Sequence, residues 1–189
     1  LRSYRVRQNT RNKSEQRVLA EALYRQGELR LDYDASVTRA AAQTFERKSG
    51  NCLSLVIMTA ALAKELGFRV TFQEVRAEQT WSRQGALYLA STHVNVVLGR
   101  PSDAGRKTFE YTDTQLLVDF LRPEEAATHK ARPIAESAIV AMYANNRAAE
   151  TLAQGRVADA YWWARKAVAE NPAFDMAYNT LGVVYLHHG

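Results

Sequence analysis

Apolar positions recur at helical spacing through Val18, Leu19, Leu23 and Tyr24, behind Ser14-Glu15-Gln16 and ahead of Gly27, which predicts a helix over about 15–26. Asp34 or Ser36 is placed to cap a second, short helix running towards Phe45. Ser49-Gly50-Asn51 is a turn-forming cluster, and directly behind it Cys52 to Leu66 reads as an apolar helix stopped by Gly67. Its run from Leu53 to Ala63 is closed by Lys64 and Glu65 and is about half of the ~20 residues a membrane span needs, so it reads as a buried core helix. Arg69 to Val75 then alternates, Val70 and Phe72 against Thr71 and Gln73, as a strand does. A loop with Gln79, Trp81, Ser82 and Gly85 follows, and further strands are expected near Leu87–Ala90, Thr92–Leu98, Lys107–Tyr111 and Leu116–Phe120. Pro101, Ser102, Asp103 and Gly105 form a hairpin-type turn between two of them. A central helix followed by an antiparallel sheet is an α+β pattern.

Pro123 and Pro133 bracket a linker, and from Ala135 the chain becomes alanine-rich and helical. Ala160, Ala164, Ala167 and Pro172 are spaced like the second helix of a tetratricopeptide repeat and its closing proline. Tyr178, Leu181-Gly182 and Tyr185 are similar to the opening of a next repeat, with tyrosine in place of its tryptophan. One repeat length back from Tyr178 is Ala144; Ala144, Arg147, Ala148 and Thr151 depart from the consensus, but Gly155 falls where the turn belongs. The bland alternative is a generic helical hairpin. About three such repeats are normally needed for stability, so these helices are expected either to lean on the preceding domain or to continue beyond residue 189.

Composition is that of an ordinary globular chain, 47% hydrophobic and 24% charged over 189 residues, which excludes a disordered tail, a collagen-like repeat and a small disulfide scaffold. The net charge of +5 sits in the first 30 residues, where eight Arg and Lys face Glu15, Glu21 and Glu28; the rest balances. With no basic–aromatic interleaving, this is read as a solvated arm, and nucleic acid is not expected as a partner. Leu1 opens the chain without a methionine or an apolar signal region, so a mature or trimmed form is expected. The compartment stays open, since a single free cysteine suits the cytoplasm but does not exclude a periplasmic or lipid-anchored mature form.

That cysteine, Cys52, stands at the first turn of a helix, where free N–H groups and the helix dipole favour a thiolate and can hold an oxyanion. A nucleophile there needs a base, and the histidines are His93, His129, His187 and His188. His93 is carried on a strand whose alternation puts His93, Asn95 and Val97 on one face. Asp119, at the end of Leu116-Leu117-Val118-Asp119-Phe120, is a carboxylate in an apolar strand and needs a donor; an imidazole N–H would serve. Trp81 and Asn95 are candidates to contact substrate. No zinc spacing, phosphate-binding G-x-x-x-x-G-K or G-x-S-x-G elbow is found, and no metal or cofactor is expected.

Cysteine after Gly-Asn at a helix start, then histidine on a strand, then aspartate on a later one, resembles the transglutaminase-like superfamily of the papain-like fold. The resemblance covers roughly Tyr33 to Pro123 and rests on Ser49-Gly50-Asn51-Cys52-Leu53-Ser54, Thr92-His93-Val94 and Val118-Asp119-Phe120. It implies an α+β core with the cysteine helix packed on an antiparallel sheet, followed by all-α tetratricopeptide helices, as in bacterial proteins joining the two. The implied division is 1–31 as arm and helix, 32–132 as the transglutaminase-like domain and 133–189 as the repeat region. It makes Cys52 the nucleophile, His93 the general base and acid, and Asp119 the residue that orients it. Val94 and Asn95 follow the histidine where animal transglutaminases usually carry a tryptophan soon after it, and no calcium-binding acidic cluster is present, which favours amide hydrolysis over protein cross-linking. The expected function is a cysteine-dependent hydrolase or acyltransferase whose repeats recruit a peptide or protein. The alternatives are a non-catalytic adaptor with a degenerate domain and a structural protein in which Cys52 is a core residue.

Overall fold

The computed structural model describes residues 19, 21, 31–84, 87–99, 115–120 and 130–188. The described residues form an α+β structure with five helices and a small antiparallel four-stranded sheet. In chain order the elements are β1 (Asp32–Tyr33), α1 (Ala41–Arg47), β2 (Ser49–Gly50), α2 (Cys52–Glu65), β3 (Arg69–Gln84), β4 (Leu87–Gly99), β5 (Leu116–Val118), β6 (Lys130–Ile134), α3 (Glu136–Ala153), α4 (Val157–Glu170) and α5 (Asp175–His188). β1 and β2 pair in parallel, and the larger sheet has the order β5-β4-β3-β6. The chain divides into two compact units, one holding 1–73 and 94–128 and the other 74–93 and 129–189.

In the first unit α2 is buried over most of its circumference through Leu53, Leu55, Val56, Met58, Ala60 and Ala63. Lys64 is in its last turn, Leu66 closes it, and Gly67 takes φ +77, the left-handed conformation that only glycine adopts without strain. The segment 94–99 of β4 is buried on both faces, as suits an inner strand of a sheet. Its partner β5 pairs antiparallel with Val96 opposite Val118 and Leu98 opposite Leu116.

Several boundaries differ from the sequence expectation. The segment around Trp81, read as a loop, belongs to β3, which runs on to Gln84; the two short strands expected over 87–98 are one strand, β4. Polar residues between Arg76 and Gln84 suggested a loop, but a long hairpin pairs their backbone whatever their polarity. β5 ends at Val118, so Asp119 lies just beyond it. Ser49-Gly50 is a two-residue strand rather than part of a turn. Neither Asp34 nor Ser36 caps α1; the N-cap is Ala40, whose N–H is taken by the Gln43 side chain at 3.2 Å. Pro133, read as the end of a linker, sits in β6 at the edge of the sheet, where a missing N–H does least harm. The helix expected over 15–26 is described only at Leu19 and Glu21, both helical, and the turn at 101–105, the strand at 107–111 and Pro123 lie outside the described residues.

In the second unit α3, α4 and α5 pack through small residues. Ala148, Leu152, Ala160, Ala164 and Val184 form one buried cluster, with Tyr161, Trp163 and Leu181 packed against it. Ala144, Ala167 and Ala177 form a second, with Trp163 and Phe174. Gly155 turns the chain between α3 and α4 at φ +77, and Pro172 follows α4. The alanines at 160, 164 and 167 are each 0% exposed, so helix axes approach as closely as a methyl group allows. Ala164→Leu is expected to lower stability by about 1–3 kcal/mol through overpacking, read from the denaturant midpoint, whereas the same change at exposed Ala173 has little effect.

Candidate active site

The start of α2 is fixed by one side chain. Asn51, in extended backbone at φ −74 and ψ 174, accepts the Ser54 N–H at 2.9 Å through Oδ1. The same oxygen accepts the Ser54 hydroxyl at 2.8 Å, and Nδ2 donates to Thr38 Oγ1 at 2.8 Å. Ser54 Oγ in turn accepts the Arg39 N–H at 2.8 Å. Thr38 and Ser54 are buried, so the network ties the 38–39 segment to the first turn of α2 out of water. An amide, with an acceptor and a donor, serves both sides of it. Gly50 is dictated by space: a Cβ there would lie 2.7 Å from Ser54 Cβ and 3.2 Å from Thr44 Cγ2.

This geometry sets Cys52 as the first residue of α2, half-buried and free of disulfide. Its backbone N–H is one of the four that a helix leaves without an intrahelical acceptor. The Tyr33 phenol lies close by. The parallel register pairs Tyr33 with Gly50, and Asp32 N–H and Asp34 N–H bond the carbonyls of Lys48 and Gly50 at 2.9 and 3.0 Å, which brings the ring alongside the helix start. Tyr33 is 63% exposed as a residue, yet its phenol pKa is pushed above 10.0 by burial of the hydroxyl end and by the charge of Cys52, against the opposing pull of the Cys52 N–H. Sequence reasoning assigned Tyr33 no role. A two-residue parallel pairing carries no periodicity from which to read one.

Beside it, Asp34 accepts both the N–H of Ser36 at 2.9 Å and its hydroxyl, and pairs with Arg39 at 2.8 Å. These bonds hold the Asp34 carboxyl at about 2, below its ordinary 3.8.

On the sheet, His93 is 9% and Asn95 3% exposed. His93 stands two residues before Asn95 on β4, so strand alternation puts both on one face of it. The β4–β5 register, continued by one pair, sets Asp119 across from Asn95, and Asn95 Nδ2 donates to Asp119 Oδ2 at 3.0 Å. The structure thus gives Asp119 an amide donor from Asn95, a residue the sequence suggested as a substrate contact. Cys52, Asn95 and Asp119 fall in the first compact unit, and Trp81 and His93 in the second. Among the described residues no three His, Cys, Asp or Glu side chains are grouped to hold a metal, and no helix is long and apolar enough to cross a membrane. No protein-family model, curated protein or solved structure matches this chain.

Asn51→Ala is expected to cost about 2–4 kcal/mol, a lost cap of ~1 together with buried hydroxyls left short of partners, as a lower denaturant midpoint. Asn51→Asp loses less, because a carboxylate still caps and Thr38 can donate to it. A second expectation concerns acid. Asp34's folded pKa lies below its unfolded value, so its stabilising effect is complete above about pH 5 and is lost as pH falls towards 2. Asp34→Asn therefore flattens the fall of the denaturant midpoint between pH 5 and 2 and leaves fewer protons taken up on unfolding.

Proposed function

We propose that the chain is a cysteine-dependent amide hydrolase or acyltransferase of the transglutaminase-like kind, with Cys52 as nucleophile, His93 as base and acid, and Asp119 as the residue that orients His93. The observation that carries the reading is the place of Cys52, the first residue of a helix firmly capped by Asn51. Its backbone N–H, beside the thiol, has no intrahelical acceptor, and the Tyr33 phenol is near enough for that N–H to act on its titration. A carbonyl attacked by the sulfur develops its negative charge toward that donor.

In this reading the Cys52 thiolate adds to the carbonyl carbon, and the carbonyl oxygen is held by the Cys52 N–H. Tyr33, close by and largely exposed, turns its O–H to donate to the oxyanion and becomes the second donor. His93, having taken the thiol proton, returns it to the leaving amine as the C–N bond breaks, which leaves a thioester on Cys52. Water activated by His93 then releases the acid, or a second amine takes the acyl group. The α3–α5 array, with its alanine spacing, its glycine turn and its closing proline, supports tetratricopeptide-type helices that recruit the peptide or protein to be acted on. Exposed Trp162, Tyr178 and Tyr185 on α4 and α5 give such a partner aromatic surface.

The test is the rate of iodoacetamide alkylation of Cys52 against pH in wild type, His93→Ala and Tyr33→Phe. Wild-type labelling that persists at pH 6, well below the ~8.5 of a free cysteine, and is lost in His93→Ala is the expected result. Tyr33→Phe keeps that labelling but lowers turnover of an amide or ester substrate by about 10- to 100-fold, as loss of one oxyanion donor does. Slow labelling at pH 6 in both wild type and His93→Ala would overturn the reading.

A further inference from the structure

Asn95 occupies a position where an amide is chemically out of place. It lies among Val94, Val96, Val97 and Leu98, all buried, at 3% exposure, on a strand segment covered on both faces. Valine fits such a position without polar atoms to satisfy. Asn95 instead brings in Oδ1, which is buried and has no hydrogen-bond partner. The amide therefore stands there at a cost, and its donor end must outweigh the forfeited acceptor. That end is directed at Asp119 Oδ2, 3.0 Å away. Asp119 in turn lies one residue past the last ladder pair of β5, where Val118 pairs with Val96. Continued by one pair, the register sets Asp119 across from Asn95, whose side chain, on a buried inner strand, bonds its carboxylate. A buried amide facing a half-buried carboxylate is seldom the most stable choice, since apolar groups fill such a place as well or better.

We propose that Asn95 is a positioning residue, whose buried amide holds the Asp119 carboxylate in the orientation its role requires; the inference rests on the Cys52, His93 and Asp119 reading above. Asn95 acts through Asp119 and touches no substrate. An amide N–H bonded to a carboxylate favours its charged form.

The test uses the whole chain with wild type, Asn95→Val, Asn95→Thr, Asp119→Asn and the double variant Asn95→Val with Asp119→Asn. Two quantities are read: the carboxyl titration of Asp119 by carbon NMR, and iodoacetamide labelling of Cys52 at pH 6. In the wild type the Asn95 side-chain amide protons are expected to shift with the Asp119 titration, a readout that needs no variant to fold. Asn95→Val moves that titration upward and slows labelling about tenfold; adding Asp119→Asn slows it no further, because both act through one group. Asn95→Thr, which matches valine in shape and restores a donor, recovers the wild-type behaviour. Amide protons that ignore the Asp119 titration, or losses that multiply in the double variant, would overturn the positioning role while wild-type labelling at pH 6 leaves the cysteine reading standing. Absence of wild-type labelling at pH 6 would overturn that reading, and the proposal with it.

Discussion

The structure around Cys52 depends on the side chain of Asn51. Its oxygen closes the first turn of α2 on Ser54, and its nitrogen reaches across to Thr38. Because Ser54 also accepts the Arg39 N–H, one amide determines where the helix begins and where the preceding segment lies. Everything proposed for the cysteine follows from that. A helix starting one residue later would leave Cys52 outside the first turn. Gly50 enforces the same register from the other side, since even a methyl group there would strike Ser54.

The parts of the molecule that repeat or alternate were legible in the sequence. The run Leu53 to Ala63 set α2 almost to the residue, and the spacing of Ala160, Ala164 and Ala167 set the packed face of α4. What was illegible depends on pairing between segments with no pattern of their own. The union of β1 with β2 involves two residues from each strand, so nothing in Asp32-Tyr33 announced that a phenol would lie near Cys52. The continuation of β3 through Trp81 was hidden because polar residues in a long hairpin resemble those of a loop. Asp119 was read as a carboxylate in need of a donor. The donor at Asn95 could be named only once the register of β4 on β5 was known.

The two ends of the chain use different physics. Near Cys52, a few polar side chains bury their hydrogen bonds with each other and fix the start of α2. In α3 to α5 order comes from small apolar residues that let helices approach, while large aromatic residues such as Trp162 and Tyr185 stay on the outside. Tyr161, Trp162 and Tyr185 meet edge to face, and Arg165 lies over Tyr161 and Trp162.

The central claim is that the sulfur of Cys52 carries an acyl group during turnover. The most direct measurement is the intact mass of the protein quenched in acid shortly after mixing with p-nitrophenyl acetate, followed by peptide mapping. The account predicts a single acetyl group on the peptide containing Cys52, removed by hydroxylamine as a thioester is, and absent in Cys52→Ala and His93→Ala. An unmodified wild-type protein, or an acetyl group that forms equally in His93→Ala, would contradict it.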